Sequence, residues 1–363
     1  MERQRYLFLD GFRALAVLWV MIHHILNFFN IKLLVGDIPR FFLKFALVGS
    51  LGVDMFFVIS GFLITGLLLE DFNGGKIRIG RFYARRFFKI VPQYLLALLV
   101  GLVFIYGVKP YPIYGTNFHV SHSPHENIVN YVLFIQNYHP ASKVPILAHT
   151  WSLAVEEHFY LIYPLIFFFI CAFLRNSRQK KAVLAAVLLL LIFIAHAFRL
   201  YIITHGGVVH FQMTHFLFDA LIFGGIIKIY EKELRDWSAH RALPAACFLG
   251  GILIYLVFVK RDIQYDEFFT LTLAYLAPGL LIVSALMGFK PIIWVTENPV
   301  LRWIGKNSYG IYLWHYILIF FFAKNPSHSW IILTYVIAAI FTGYLSTVTV
   351  ERYFLNLRKI VAP

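Results

Sequence analysis

Residues 182–204 read AVLAAVLLLLIFIAHAFRLYIIT, and this stretch decides the fold class. A helix needs roughly 20 mostly apolar residues to cross a bilayer core about 30 Å thick, and this stretch is long enough. Comparable stretches recur along the 363 residues, of which 60% are hydrophobic and 14% charged. Ordinary globular sequences are roughly a quarter charged. The sequence therefore predicts an all-α, polytopic transmembrane helix bundle.

We expect about ten helices and a single transmembrane domain spanning residues 1–363. The predicted helices cover 12–30, 46–69, 90–108, 152–173, 182–204, 210–229, 243–260, 267–287, 307–323 and 330–350. The first of them resembles a signal peptide only superficially, because it contains charged residues and no small-residue cleavage site follows it. We interpret it as a retained helix. Cys171 and Cys247 form neither a disulfide framework nor a metal-ligand spacing.

The net charge of +14 belongs mainly to one side of the predicted bundle. Most Lys and Arg residues lie near the two termini and in the loops 70–89, 174–181, 228–242 and 288–306. Cytoplasmic loops of membrane proteins carry such an excess, so we expect both termini in the cytoplasm. The charge then indicates membrane lipid rather than nucleic acid as the partner.

The long segment 109–151 is predicted to lie outside the cell, and its length suggests a lid or a binding surface. It carries five histidines, which are His119, His122, His125, His139 and His149. A metal site is one interpretation of such a cluster, but the spacing fits no standard site. We therefore predict no metal.

Ionisable residues inside a bilayer are costly and indicate functional sites. Arg13 and His24 are eleven residues apart, which on a helix is three turns plus roughly 20°, so both project from one face about 16 Å apart. His23 points to another side. Arg13 as an interfacial anchor and His24 as a hydrogen-bonded structural residue are the alternatives. We favour the functional interpretation of the pair.

Two further clusters stand out. Glu156 and Glu157 open a helix, where carboxylates also serve as dipole-favoured caps, and Asp54 enters the membrane from the same predicted side. Arg199, Asp219 and His315 are further buried ionisable residues that suit structural pairs.

Arg81, Arg85 and Lys89 repeat every four residues, so a helix would present them as one stripe. That stripe, with Arg86, indicates either anchoring at the inner face or a phosphate-rich ligand.

Together these clusters resemble the acyltransferase-three family of membrane proteins. The matching strings, in the family's order, are LDGFRALA at Leu9–Ala16 with His24 beyond it, GVDMFFVISGFLI at Gly52–Ile64, RRFFKIVP at Arg85–Pro92, WSLAVEEHFYLIYP at Trp151–Pro164 and KNSYGIYLWH at Lys306–His315. The likeness covers essentially the whole chain.

The resemblance implies a membrane-bound O-acyltransferase, and the expected location is the inner (cytoplasmic) membrane of a bacterium. Its donor would be acyl-CoA, usually acetyl-CoA, reached from the cytoplasm and held by Arg81, Arg85, Arg86 and Lys89. His24 would act as general base with Arg13 on its face, and Glu156 would orient it. The motif residues expected to bind substrate are Asp54, Trp151, Ser152, Tyr309 and His315.

Two departures from the family pattern matter. Lys89 stands where the family usually has a second Arg. Lysine keeps the positive charge but lacks the planar guanidinium, which can donate two parallel hydrogen bonds. Many members also carry an extracytoplasmic esterase-like domain. Without one we expect the membrane domain to act alone or with a separate extracytoplasmic partner.

The acceptor is expected to be a sugar or glycolipid hydroxyl, with a surface polysaccharide or lipopolysaccharide as the first choice. Peptidoglycan, a periplasmic glucan or a small glycoside remain open. The alternative function is a transporter or flippase of a sugar-linked lipid, and a lipid sensor is a third interpretation. A transporter would more often show internal repeats with broken helices, and none is apparent in the sequence.

Overall fold

The computed structural model describes residues 6–29, 38–74, 77–107, 124–139, 144–174, 177–207, 209–240, 242–261, 268–323 and 330–361. None of these residues forms a β-strand. The helices are α1 (Leu7–Phe28), α2 (Arg40–Leu47), α3 (Leu51–Asn73), α4 (Ile79–Gly107), α5 (Pro124–Val132), α6 (Trp151–Phe173), α7 (Ser177–Thr204), α8 (Phe218–Ile229), α9 (Glu231–Asp236), α10 (Ala242–Arg261), α11 (Phe268–Leu286), α12 (Lys290–Thr296), α13 (Pro299–Lys306), α14 (Ser308–Phe322), α15 (Trp330–Ser346) and α16 (Arg352–Val361).

The all-α, polytopic fold class is confirmed. Within the described ranges, eight helical segments are long and apolar enough to cross a membrane. The predicted helices 210–229 and 307–323 correspond to the shorter α8, with 12 residues, and α14, with 15 residues. A bilayer offers backbone groups no hydrogen-bond partners, so a spanning segment must satisfy them internally, as a helix does.

Several predicted loops are partly helical, which corrects the expected boundaries. The loop 70–89 ends where α4 begins at Ile79, the loop 228–242 contains α9, and the loop 288–306 contains α12 and α13. Charged residues end the apolar span but not the helix, because Arg and Lys are good helix formers. The basic stripe therefore belongs to α4 itself.

The chain divides into two compact units. Unit 1 comprises Met1–Ala16, Leu51–Ile79 and Val155–Gly305. Unit 2 comprises Val17–Ser50, Gly80–Ala154 and Lys306–Pro363. Four helices, α1, α4, α6 and α13, contribute residues to both units.

In unit 1, α3 packs closely along α8. A Cβ on Gly61 would lie 1.8 Å from the carbonyl oxygen of Leu221, and one on Gly224 would lie 2.0 Å from that of Val58. Small residues at such crossings let two backbones touch, which is the usual basis of helix association in lipid. Glycine is therefore required at both positions.

A buried ion pair also stabilises unit 1. Arg199 on α7 donates a hydrogen bond to Asp219 on α8 over 2.7 Å, and both side chains are almost fully buried. The Arg199 guanidinium also donates to the carbonyl of Phe216. Arg199 and Asp219 thus form a structural pair, whereas His315, which was grouped with them, lies in unit 2.

A second polar cluster in unit 1 surrounds Glu231, outside the membrane-spanning segments. Its carboxylate accepts hydrogen bonds from Tyr6 at 2.7 Å, from Lys228 at 2.5 Å and from Arg235 at 2.9 Å. Burial by itself would raise the pKa of Glu231, but the hydrogen bonds from Lys228 and Tyr6 outweigh it, so the pKa lies below its ordinary value. For Tyr6, burial and the neighbouring Glu231 raise the pKa of the phenol.

In unit 2, α14 packs along α15, and α2 covers the second half of α1. The indole of Trp19 stacks on Phe45 and donates a hydrogen bond to its carbonyl over 2.8 Å. Helix α5, which precedes α6 in the chain, is hydrogen-bonded to α4, because Tyr94 on α4 donates to the carbonyl of Tyr131 on α5 over 2.8 Å. Gln136 donates to the carbonyl of Thr150 over 3.0 Å. These buried bonds position the start of α6.

Candidate functional site

The predicted site residues divide unevenly between the two units. Unit 2 contains nine of them, namely His24, Arg81, Arg85, Arg86, Lys89, Trp151, Ser152, Tyr309 and His315. Unit 1 contains Arg13, Asp54 and Glu156.

His24 pairs with another histidine. On α1, its Nδ1 lies 3.1 Å from Nε2 of His315 on α14, and the two rings are tilted by 30° with centroids 5.2 Å apart. His24 is half-buried, whereas His315 is fully buried. Residues 291 positions apart in the sequence thus form one hydrogen-bonded pair.

His315 is held firmly by backbone groups. Its Nδ1 lies 2.6 Å from the carbonyl oxygen of Tyr312 and 3.2 Å from that of Ile311, both on α14. Its own carbonyl accepts a hydrogen bond from the hydroxyl of Tyr335 on α15 over 3.1 Å. Its own helix therefore fixes the orientation of the His315 ring, and the hydrogen bond from Tyr335 links that helix to α15.

The neighbouring His23 has a different environment. Its Nδ1 donates to the carbonyl of Leu47 over 2.6 Å, and its Nε2 accepts from the side-chain amide of Asn27 over 3.0 Å. Both ring nitrogens are thus engaged within unit 2. His23 has no nitrogen left to accept a proton from a substrate.

His149 was predicted only as one member of a histidine-rich loop, and the structure places it beside the pair. It lies in the short 3₁₀ segment Pro145–Thr150, with its ring 5.5 Å from that of His315 and stacked at 4.7 Å on Tyr316. Its Nε2 donates to the carbonyl of Leu313 over 3.2 Å. The signal in the sequence was its position two residues before Trp151, at the start of a motif.

Ser152 belongs to the same neighbourhood through Tyr312. The two hydroxyls lie 2.6 Å apart, and the Tyr312 hydroxyl lies 3.0 Å from the carbonyl of His149. Ser152 and Tyr312 are buried, whereas Trp151 is half-buried at the first position of α6. Ser152 thus joins α6 to the helix that carries His315.

The basic stripe lies on the first three turns of α4. Arg81 is exposed, while Arg85, Arg86 and Lys89 are half-buried. The Arg86 guanidinium lies 5.8 Å from the ring centre of Phe82. The tyrosine of the last motif reaches this helix, because the Tyr309 hydroxyl donates to the carbonyl of Ile90 over 2.8 Å.

A polar network that sequence reasoning missed follows one turn beyond Lys89. Gln93 donates to the carboxylate of Glu351 over 2.8 Å and accepts from the hydroxyl of Ser346 over 2.8 Å. Glu351 ends a single π-helical turn, Thr347–Glu351, and such turns are frequent at functional sites. Only the fold shows that Gln93 and Glu351 meet.

In unit 1, the Glu156 carboxylate accepts hydrogen bonds from Ser60 and Tyr160. The Ser60 hydroxyl donates to Oε1 over 2.6 Å, and the Tyr160 hydroxyl donates to Oε2 over 3.0 Å. Both donors lie in motifs that the sequence singled out, but their contact with Glu156 was not predicted. Through Ser60 on α3, Glu156 thus links α6 to α3 within unit 1.

The other two residues of unit 1 lie on different helices. Asp54 is buried in the first turn of α3, close enough to Tyr255 on α10 for an electrostatic interaction. Arg13 is half-buried on α1. The continuous helix Leu7–Phe28 confirms that Arg13 and His24 share one helix.

The long segment 109–151 is described only from residue 124, with a further gap at 140–143. His119 and His122 lie outside the described residues, the His125 side chain is not described, and His139 is exposed. Among the side chains that the structure describes, no group of three potential metal ligands is found.

Together, the long apolar helices and the polar side chains buried among them indicate a multi-pass membrane protein. Residues 6–351 match the family model described as "Acyltransferase domain", so the chain belongs to that family.

Relatives from Staphylococcus aureus are similar to this chain. The O-acetyltransferase OatA of strain NCTC 8325 is 29% identical over 374 residues, which covers 97% of this chain and 57% of the relative. A protein of strain COL named "Putative O-acetyltransferase" is 28% identical over 345 residues, which covers 88% of this chain and 52% of the relative. The chain thus spans about half the length of the curated relatives it matches. No solved structure matches it.

Proposed function

We propose that this protein is a membrane-bound O-acyltransferase that transfers an acetyl group from cytoplasmic acetyl-CoA to a sugar hydroxyl. The single observation that carries acyl transfer is the family match over residues 6–351. The names of the relatives favour an oxygen acceptor and an acetyl group. As first choice of acceptor we propose a cell-surface polysaccharide or lipopolysaccharide, at the inner membrane of a bacterium.

His24 is the proposed general base. Proton removal from a hydroxyl is most effective when the base has a pKa near the working pH, and histidine meets that condition. As His24 takes the hydroxyl proton, the acceptor oxygen attacks the thioester carbonyl carbon. The bond between carbonyl carbon and sulfur breaks, a bond between carbonyl carbon and oxygen forms, and the proton passes from His24 to the departing CoA sulfur.

The basic residues of α4 are the proposed donor site. Arg85, Arg86 and Lys89 lie half-buried on adjacent turns and offer positive charge to the CoA phosphates. Four further assignments stay predictions. They are substrate-binding roles for Asp54, Trp151, Ser152 and Tyr309, an orienting role for Glu156, a catalytic role for Arg13 on the same helix as His24, and a separate extracytoplasmic partner.

The test compares His24→Ala with His23→Ala. Purified protein in detergent is given acetyl-CoA and a membrane glycolipid extract, and CoA release and acetylated product are measured by mass spectrometry. Wild type and His23→Ala should transfer acetyl groups, and His24→Ala should not, at equal levels of folded protein. Wild-type transfer by His24→Ala would remove His24 from the mechanism. Unchanged cell-surface glycans in a strain that lacks the gene would argue against these acceptors.

A further inference from the structure

The histidine pair allows the protons on its rings to be assigned. His315 Nδ1 lies within hydrogen-bonding distance of two backbone carbonyls, at 2.6 Å from Tyr312 and 3.2 Å from Ile311. A carbonyl oxygen only accepts, so the Nδ1 of His315 must carry the hydrogen. A neutral imidazole has one donor and one acceptor nitrogen, so the Nε2 of His315 is an acceptor.

The same argument extends to His24. The Nε2 acceptor of His315 lies 3.1 Å from His24 Nδ1, which must therefore donate. The Nε2 of His24 is then left with its lone pair. The opposite arrangement would direct the lone pair of His315 Nδ1 at two carbonyl oxygens. A doubly protonated His315 would be a charge at a side chain with 0% exposure, which is costly without a partner.

We propose that His315 is a positioning residue for His24: it holds the neutral His24 ring with its hydrogen on Nδ1, so that Nε2 accepts the proton of the acceptor hydroxyl. This proposal rests on the proposed function of His24, and it replaces the predicted role of His315 in binding substrate. In this role His315 acts through its hydrogen bond with His24 and not on the reacting groups themselves. It takes the place that a carboxylate occupies in other base-orienting arrangements.

A neutral His24 ring with its hydrogen on Nδ1 has the advantage that its hydrogen bond to His315 strengthens when the ring is protonated. Among the described residues, the titratable groups whose rings contact the pair are His23 and Tyr316 beside His24, and Tyr312, His149 and Tyr316 beside His315. When His24 accepts a proton at Nε2, its Nδ1 hydrogen becomes part of a cation. Hydrogen bonds from ionised donors are shorter and roughly twice as strong as neutral ones. The bond to His315 therefore strengthens as the reaction proceeds.

The decisive experiment measures the ring protons directly. Wild-type protein labelled with ¹⁵N-histidine is examined by solid-state NMR in lipid at a pH where the rings are neutral. The His24 signals are assigned by their loss in His24→Ala. We expect the hydrogen on Nδ1 of His24 in the wild type and a mixture of both forms in His315→Phe. A wild-type ring with its hydrogen on Nε2 would overturn the proposal, whether or not the protein transfers acyl groups.

Kinetics supply the second readout. In His315→Gln the amide oxygen can accept near the position of Nε2, so the kcat of this variant should stay within a few-fold of wild type. His315→Phe should lower kcat about tenfold or more, as expected for a lost orienting hydrogen bond, with little change in KM for the donor. His23→Gln is the matched control and should retain wild-type kcat. A purely structural role would lower the folded level of Gln and Phe variants alike without changing kcat, which would also overturn the proposal.

Discussion

At the scale of single residues, unit 2 brings His24, His149 and His315 together around the ring of Tyr316. His315 and His149 both direct a ring nitrogen at a carbonyl oxygen of α14. Charged side chains within a bilayer are costly, so neutral hydrogen-bonded imidazoles suit apolar helices such as α1 and α14 better than carboxylates or lysines would. A base at such a site acquires its charge only when it takes a proton.

Replacing Arg86 tests the donor site. Loss of an ionic hydrogen bond typically costs about 1.5–3 kcal/mol, or roughly ten- to over a hundred-fold in affinity. Arg86→Ala should therefore weaken binding of a non-hydrolysable acetyl-CoA analogue by about that factor, measured by titration in detergent. The control is Arg352→Ala, which removes an exposed cation of α16 and should leave affinity unchanged.

Lys89 refines that test. If the family's second Arg acts as a fork, Lys89→Arg should bind the analogue at least as tightly as wild type, because guanidinium offers two parallel donors. If the stripe is only a membrane anchor, Arg86→Ala should change the protein's level and not its affinity. Unchanged affinity of Arg86→Ala for the acetyl-CoA analogue would indicate that these residues serve as a membrane anchor and not as the donor site.

The carboxylate of Glu231 makes stability depend on pH. Its folded pKa lies below the ordinary value of 4.5, because the bonds from Lys228 and Tyr6 outweigh burial. The stabilisation is therefore fully present above that value and is lost as the pH falls through the folded pKa. The melting temperature of the wild type should exceed that of Glu231→Gln at pH 7, and this difference in melting temperature should shrink below about pH 4. A difference independent of pH would show that Glu231 acts through packing alone.

At the scale of elements, contact between helices depends on positions without side chains. A Cβ on Gly224 would meet the backbone carbonyl of Val58 at 2.0 Å, so Gly224→Ala must push α8 away from α3. Overpacking of this kind costs typically about 1–3 kcal/mol. We expect a lower melting temperature in detergent and less folded protein.

Gly80 provides the matched control, since a Cβ there would meet nothing within 4 Å. Gly80→Ala near the start of α4 should leave stability unchanged or raise it by up to about 1 kcal/mol, because alanine favours helix. Equal melting temperatures for the two variants would contradict the close packing of α3 and α8.

At the scale of the whole molecule, the distribution of charge predicts an orientation. The connection between α3 and α4 should face the cytoplasm, and the segment before α6 should face outwards. Single cysteines at the exposed positions Asn73 and His139 would test this in a background with Cys171 and Cys247 replaced by serine. An impermeant thiol reagent on intact cells should label His139→Cys only. Labelling of Asn73→Cys would reverse the topology and the proposed route of the donor.

The helical fold and much of the candidate site followed from the order of residues along the chain. A spanning helix satisfies its own backbone, so its presence depends on local composition, and each predicted span has a corresponding helix. For the same reason the sequence could predict that Arg13 and His24 belong together, because both lie on one helix. The extension of α4 to Ile79 was not predicted, because helical structure continues where hydropathy ends.

The sequence by itself determined the class of fold, the positions of the spanning helices and the membership of the acyltransferase family, because local composition and the order of motifs carry that information. Only the tertiary structure decided which side chains meet. The pairing of His24 with His315 and of Glu156 with Ser60 joins residues 291 and 96 positions apart. Such contacts depend on how helices pack within each unit, and hydropathy does not encode that packing.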